Sequence, residues 1–402
     1  MPNQFNSPEG DLENYFVTES WLIDQWVGDT LWTWGKNAYG QLGINASGGS
    51  AARTTPITTS AGGANWKQVS GGDSFTAAIK TDGTLWSWGS NSDGQLGVDD
   101  TTNRLTPVTT FAGGSNWKQV SCGGYHTSAI KTDGTLWVWG SNSFGQLGVY
   151  DTTNRLTPVT TFAGGTNWKQ VDCGYRYTAA IKTDGTLWTW GRNDDGGQLG
   201  VNDTTRRSTP TTTFAGGTNW KQVACGAFYM AAIKTDGTLW TWGRNLYGQL
   251  GINVAGVSTG RTTPVTTFAG GTNWKQVACA TYHTLAIKTD GTLWGWGQNG
   301  VGNLGLNNTT SPICTPVTTF VGGTNWKQVA CGGEHQSAAI KTDGTLWLWG
   351  RNSSLQLGTN DAINRSTPVT TLAGGTNWKQ VVNGYFYSVA ITSGTDPTYF
   401  IS

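Results

Sequence analysis

The sequence is short of charged residues. Only 12% of its 402 residues are charged, about half the usual share, and the 25 lysines and arginines nearly balance the 24 aspartates and glutamates. Neither half of the chain is markedly basic or acidic. Because binding to phosphates depends on a basic surface, we predict no nucleic-acid partner.

Export signals, membrane spans and a disulfide framework are also missing. The N-terminal residues lack a basic stretch followed by an apolar core, and no run approaches the ~18 apolar residues of a membrane span. Six cysteines in 402 residues are too few for a disulfide-dense secreted domain. The sequence therefore predicts a soluble protein without membrane insertion.

Tryptophan and glycine are abundant, with 23 and 59 copies, and the tryptophans fall into repeats. The motif NWKQV occurs seven times at spacings of 51 to 54 residues, and TLWxWG also occurs seven times. Together they contain 21 of the 23 tryptophans, all except Trp21 and Trp26. Nearly all the tryptophan is therefore predicted to form the core of a repeat protein.

Each repeat contains four segments with the composition of short β-strands: NWKQVxC, HTxAIK, TLWxWG and TPVTT. An Asp-Gly pair, such as Asp133 and Gly134, separates the second segment from the third and supplies the positive φ of a tight hairpin turn. Four strands in a repeat of ~50 residues are typical of a β-propeller blade.

The chain begins and ends inside a repeat. Residues 27–43 supply the second half of a unit and residues 377–391 supply the first half. The sequence therefore predicts an all-β, seven-bladed β-propeller of four-stranded antiparallel blades, closed by the N- and C-terminal halves of one blade. It divides into an N-terminal arm (1–27), the propeller (28–391) and a C-terminal tail (392–402). The alternative is an open stack with two exposed apolar faces.

The segments WGSNSFGQLGVYDTTNRLTP (139–158) and CGGYHTSAI (122–130) resemble the regulator of chromosome condensation repeat, whose hallmarks are GxNxxGQLG and CGxxHT. The resemblance implies a seven-bladed propeller that works as an intracellular adaptor or regulator and binds a GTPase or another protein. This sequence lacks the basic tail and the long insertion of the family's nucleotide-exchange factor. It also reads GYRYT at Gly174, where a photoreceptor branch carries tryptophan. Kelch repeats are the alternative family, but they do not explain GQLG.

No pattern indicates an active site. We assign His126, His283 and His335 to one repeat position that holds Phe or Tyr in other repeats, which favours packing. Five cysteines share one register and are expected to be free thiols, too far apart for disulfides. The repeated Asp residues are explained by turns. We therefore predict a non-enzymatic protein with no catalytic residue, metal or cofactor.

The residues just before the His/Tyr position differ between otherwise near-identical repeats. They lie at the turn between the first two strands, which should surround one end of the central channel. Their aromatic character favours recognition of a protein or glycan over drift at exposed turns. The predicted partner-binding residues are Tyr125, Tyr175, Arg176, Phe228, Tyr282, Glu334, Tyr385 and Phe386.

The N-terminal arm carries four apolar residues that need a partner surface, either the propeller itself or another subunit: Phe16, Trp21, Leu22 and Trp26. The low charge and the Gly, Thr and Asn content are similar to those of bacteriophage accessory proteins. The composition thus favours a structural scaffold that presents a recognition surface on a virion (bacteriophage) or extracellular cell-surface assembly. The alternative is the intracellular adaptor implied by the family resemblance, with a cytoplasmic location.

Overall fold

The computed structural model describes residues 28–60, 63–333 and 335–394, which form 28 strands and one short 3₁₀ helix, Gly49–Ala51. The strands are β1 (Thr30–Gly35), β2 (Arg53–Thr58), β3 (Trp66–Gly71), β4 (Phe75–Lys80), β5 (Leu85–Gly89), β6 (Arg104–Thr109), β7 (Trp117–Cys122), β8 (His126–Lys131), β9 (Leu136–Gly140), β10 (Arg155–Thr160), β11 (Trp168–Cys173), β12 (Tyr177–Lys182), β13 (Leu187–Gly191), β14 (Arg207–Thr212), β15 (Trp220–Cys225), β16 (Tyr229–Lys234), β17 (Leu239–Gly243), β18 (Arg261–Thr266), β19 (Trp274–Cys279), β20 (His283–Lys288), β21 (Leu293–Gly297), β22 (Ile313–Thr318), β23 (Trp326–Cys331), β24 (Gln336–Lys341), β25 (Leu346–Gly350), β26 (Arg365–Thr370), β27 (Trp378–Asn383) and β28 (Tyr387–Thr392).

The strands form seven four-stranded antiparallel sheets. Six sheets use four consecutive strands in chain order, as in β3-β4-β5-β6, and the seventh has the order β2-β1-β28-β27. In this closing blade Thr30 pairs with Thr392 and Trp32 pairs with Ala390. The predicted all-β, seven-bladed ring, closed by the two ends of the chain, is confirmed.

The hydrophobic core lies between neighbouring blades. Trp66 of β3 is buried and meets two tryptophans of its own blade edge to face, Trp86 at 6.3 Å and Trp88 at 6.0 Å between ring centroids. It also packs with Leu31 and Ile391 of the closing blade. Because the tryptophan pairs recur in every blade, the repeat motif builds seven nearly equal interfaces.

The GQLG motif ties each blade to the next. The carbonyl oxygen of Gln41 accepts hydrogen bonds from the Trp88 indole N–H and the Thr76 hydroxyl, both at 2.9 Å. Gly43 follows with φ of +67°, and a Cβ there would lie 2.8 Å from the Trp88 indole nitrogen. The glycine is therefore required by the close approach of the neighbouring tryptophan.

A ring of seven glutamines joins the innermost strands. The Gln68 side-chain amide donates to the Val120 carbonyl oxygen at 2.9 Å, and its oxygen accepts the Val120 N–H at 2.9 Å. The same pair of bonds joins every neighbouring blade, including Gln380 of β27 to Val69 of β3 at 3.1 Å for both bonds, which links strands from the two ends of the chain. We call these residues the glutamine ring: Gln68, Gln119, Gln170, Gln222, Gln276, Gln328 and Gln380.

Among the residues that the structure describes, none forms a helix with the length and apolar character needed to cross a membrane.

We expect Gln380→Leu to lower the free energy of unfolding by ~2 kcal/mol, because it removes both hydrogen bonds between β27 and β3 and leaves two backbone groups of Val69 without these partners. The measurement is the urea midpoint followed by tryptophan fluorescence. Lys67→Gln, which alters an exposed side chain on β3, is the control and should leave the midpoint in place. Equal midpoints for all three proteins would contradict a structural role of the ring.

Candidate partner-binding face

One end of the propeller combines two sets of connections. Phe75 at the start of β4 pairs with Gly89 at the end of β5, so the turn before β4 and the loop after β5 lie at the same end of the blade. Equivalent pairings hold in the other blades. We call this end the aromatic face. The turns that the sequence predicts to surround the channel mouth do so: Asp73, Tyr175 and Tyr385 line a cavity there.

Four of the predicted residues form a continuous arc. Tyr125 and Tyr175 meet edge to face at 5.4 Å, with their hydroxyl oxygens 3.0 Å apart. Phe228 lies 6.2 Å from Tyr175, and Tyr282 lies 6.5 Å from Phe228. All four side chains are half-buried. These residues, the aromatic arc, come from four successive blades and are held by their neighbours.

Tyr385 and Phe386 form a second cluster, with ring centroids 4.6 Å apart. Lys36 lies over the Phe386 ring at 4.9 Å, and Arg351 lies over it at 5.5 Å. Glu334, also predicted as a contact residue, lies outside the described residues, as do the four arm residues Phe16, Trp21, Leu22 and Trp26. Their roles stay predictions.

Arginines stack on the arc and on its outer neighbours. Arg176, a predicted contact residue, lies 5.3 Å from the Tyr175 ring and 4.7 Å from Phe144. Arg192 and Arg206 also lie over Phe144, at 5.0 and 4.4 Å. Arg192 and Arg206 are already ion-paired with Asp194, and Arg192 also with Asp195. Arg176 stacks on the rings, so its guanidinium group can make apolar contacts and bind a carboxylate at once.

Several residues of this face were not predicted from the sequence. Phe144 and Tyr247 occupy the variable position of the GxNxxGQLG loops, and Tyr247 lies 5.0 Å from Tyr282. Arg192 and Arg244 occupy the position after the first glycine of the same motif, and Arg244 lies 5.3 Å from the Phe228 ring. The usable signal was variation at these two loop positions, combined with the antiparallel pairing that brings them beside the turns.

The cysteines lie below this face, around the channel. The five cysteines in register are free, as predicted, and line the cavity at the channel mouth. Cys314 is also free and lies on the outer strand β22. Burial raises the pKa of the Cys173 thiol to about 12, so it stays protonated. In residues 28–60, 63–333 and 335–394 no group of three or more His, Cys, Asp or Glu is arranged to hold a metal ion.

The repeat pattern also identifies the family. The model of the RCC1-like domain matches residues 27–267 and, in a second match, residues 118–399. The chain belongs to this family. Two relatives of this RCC1-like protein come from Arabidopsis thaliana: the ultraviolet-B receptor UVR8, 34% identical, with 85% of this chain and 77% of the relative covered, and the mitochondrial RCC1 domain-containing protein RUG3, 28% identical, with 82% and 79% covered.

Solved structures show the same fold. Human WBSCR16 superposes with a TM-score of 0.78 at 23% identity, covering 93% of this chain and all of the human chain. Prp20p from Saccharomyces cerevisiae gives a TM-score of 0.80 at 19% identity, covering 92% of each chain, and is described with its binding to Gsp1p and histones.

The favoured virion or extracellular location is wrong. The relative RUG3 is a mitochondrial protein, which argues against a virion or extracellular setting. None of the relatives and structures named above is a bacteriophage component. The Gly-, Thr- and Asn-rich composition that suggested one has a structural cause, because turns and outer strands repeat seven times with nearly the same sequence.

The histidines do not share one position, contrary to prediction. His126 and His283 begin β8 and β20 and are fully buried, but β24 begins with Gln336. His335 precedes that strand with φ of +65° and stacks on Tyr282 at 5.8 Å. The extra residue in CGGEHQSAAI shifts the register, so Gln336 is the counterpart of His126.

His126 acts as a buried hydrogen-bond donor. The Thr178 hydroxyl donates to the Gln146 carbonyl oxygen and therefore accepts from His126 Nε2, 2.9 Å away. Burial lowers the pKa of His126 to about 3, so the ring is neutral at neutral pH. In the next blade the Tyr177 hydroxyl occupies this position and donates to the Tyr229 carbonyl oxygen at 2.6 Å.

Asp172 is an ionisable group of the channel that sequence reasoning missed. It lies on β11 and helps to line a central cavity of about 370 Å³. Its carboxylate accepts the Ser121 hydroxyl at 3.1 Å and the Cys225 N–H at 2.7 Å. Burial nevertheless raises the pKa of Asp172 to about 6, because desolvation outweighs these bonds.

We expect Asp172→Ser to raise the free energy of unfolding at pH 7 by ~2 kcal/mol. The pKa of Asp172 is higher in the folded protein than in the unfolded chain. The parent therefore loses stability as pH rises from about 4 to 6, and the variant, which lacks this carboxyl group, does not. Serine preserves the interblade bond, since the Ser121 hydroxyl accepts the Cys173 N–H in the preceding blade. Denaturant midpoints across this pH range test the expectation, and parallel profiles would contradict it.

His126→Tyr should reduce sensitivity to acid. Because the folded-state pKa of His126 lies below the unfolded value of ~6.5, the parent loses stability as pH falls through that value. At pH 5 the variant should be destabilised by ~2 kcal/mol less than the parent, relative to each protein at pH 7.5. Thermal unfolding at both pH values is the measurement. An equal acid-induced loss in the two proteins would show that His126 is not the titrating group.

Proposed function

We propose that this RCC1-like propeller is an intracellular adaptor or regulator that binds a protein partner through its aromatic face. The observation that carries the proposal is the aromatic arc with arginines stacked on and beside it. Tyrosine and arginine dominate binding energy in protein interfaces because they combine apolar area with hydrogen bonding. No catalytic role is part of the proposal.

Preorganisation supports a binding role. The rings of Tyr125, Tyr175 and Phe228 pack on one another across three blades, and Arg176 rests on Tyr125 and Tyr175. Side chains already held in one arrangement lose little conformational entropy when a partner binds. Burial raises the pKa of Tyr125, so its hydroxyl remains a neutral hydrogen-bonding group at any physiological pH.

The arginines favour a protein over a neutral glycan. Aromatic rings alone can stack on sugars, but Arg176 and Arg244 add guanidinium donors that match carboxylates. The partner is therefore a protein surface with apolar and acidic side chains. Protein binding by this fold has precedent, since yeast Prp20p is described with Gsp1p, histones and Kap60.

The test is affinity purification with quantitative mass spectrometry, using the parent and a variant with Tyr175, Arg176, Tyr385 and Phe386 all replaced by Ser. We expect partners of the parent to fall at least tenfold in the variant, since loss of two central interface anchors costs ~1.4 kcal/mol or more. Both proteins should keep the same Tm, because these side chains are only half-buried.

The matched control replaces an aromatic pair away from this face. Tyr150 and Phe162 stack at 5.3 Å and are both exposed, and Tyr150→Ser with Phe162→Ser should retain all partners. A partner lost equally from both variants would be one that binds exposed aromatic side chains nonspecifically. Full retention by the aromatic-face variant would refute the proposal.

A further inference from the structure

The end of the propeller opposite the aromatic face concentrates the lysines. Each innermost strand begins with a buried tryptophan followed by an exposed lysine at a break in register, as for Trp66 and Lys67. We call this end the lysine face. Its seven exposed lysines, the lysine ring, are Lys67, Lys118, Lys169, Lys221, Lys275, Lys327 and Lys379.

Six more lysines end the second strands at the same face. Lys80 lies over Trp66 at 4.9 Å and over Trp86 at 4.7 Å, and the other five stack in the same way. Six turn aspartates and Asp29 oppose these thirteen lysines. The face is therefore positively charged in a protein whose formal net charge is only +1.

The chain enters the propeller at this face. The Asp29 carbonyl oxygen accepts the Trp66 N–H at 3.0 Å, directly beside the lysine ring. The Asp29 carboxylate forms an ion pair with Lys379. Within the described residues the other six lysines of the ring make no ion pair. The first residues that precede β1 thus already engage the ring by charge.

Residues 1–27 have the complementary composition. They contain five carboxylates and no lysine or arginine: Glu9, Asp11, Glu13, Glu19 and Asp24. They also contain Phe16, Trp21, Leu22 and Trp26, which require apolar surface. The lysine face supplies apolar surface at Phe111, which is 66% exposed. Phe111 lies at this end because the N–H of the preceding Thr110 donates to the carbonyl oxygen of Leu85, the first residue of β5.

We propose that residues 1–27 dock on the lysine face of their own propeller, with their carboxylates on the lysine ring. Residues 1–27 are long enough to cross the lysine face. They would span ~40 Å as a helix and ~90 Å when extended, whereas a domain of this size has a radius of gyration of ~21 Å. The lysine face and the aromatic face are opposite ends of the propeller, so arm docking and partner binding would use separate surfaces.

Intramolecular docking is favoured over a second copy. The arm is tethered at Gly28, beside Ala64 and Asn65, and this places it at millimolar effective concentration next to the ring. Individual exposed lysine–carboxylate pairs are weak, with a median below 1 kcal/mol, so a second copy at micromolar concentration gains too little from the same contacts.

The experiment uses cleavage of the full chain by a glutamate-specific protease. The sequence has only four glutamates, and Glu9, Glu13 and Glu19 all lie in the arm. We expect cleavage at these three sites in 10 mM salt to be roughly tenfold slower in the parent than in a variant with Lys67, Lys118 and Lys379 replaced by Gln. In 0.5 M salt the two rates should converge.

The matched control replaces Arg104, Arg155 and Arg365 by Gln, which removes three charges from outer strands and should leave the cleavage rate unchanged. Carbodiimide treatment of the parent should join carboxylates of residues 1–27 to lysine-ring amines within one chain, which tests the contact without any substitution. Equal cleavage of the parent and the lysine variant, protection that grows with protein concentration, or crosslinks only between chains would overturn the proposal.

Discussion

The structure depends on the hydrogen bonds that the glutamine ring makes between neighbouring innermost strands. Each glutamine presents a side-chain amide to a backbone amide, as one peptide group pairs with another in a sheet. Seven such pairs form a closed circuit around the channel, and Gln380 completes it by joining the last innermost strand of the chain, β27, to the first, β3. The circuit acts together with the apolar layers between blades and with the bonds to the GQLG carbonyl oxygens.

The fold could be predicted because all its information is local and repeated. Asp-Gly turns, strand alternation and the incomplete terminal repeats define the ring before any contact is known. The composition of the aromatic face could be predicted only in part. Phe144 lies 32 residues before Arg176, on the neighbouring blade, and Arg244 lies 16 residues after Phe228, across the β16–β17 pair. Their proximity follows from contacts between blades and from strand pairing. His335 was misplaced because one added residue changes the register, which periodicity alone does not reveal.

The net charge of the chain does not reveal how its charges are distributed over the propeller. The near-neutral sum concealed a strong segregation, since alternating strand directions bring the start of NWKQV and the end of AIK to the same end of every blade. That end keeps almost the same sequence in all repeats, whereas the turns at the other end differ from blade to blade. One architecture therefore carries a constant electrostatic surface and a variable aromatic one on opposite ends of a single channel.

The closing blade has a further consequence for the path of the polypeptide. Gly28 and Gly394 lie so close that a Cβ on Gly394 would fall 2.2 Å from the Gly28 nitrogen. The last and first described residues are thus almost contiguous, as they would be in a cyclic peptide. A short linker could therefore join these two ends while the chain is opened elsewhere. The propeller is suited to such circular permutation, with new ends in any of its exposed Asp-Gly turns.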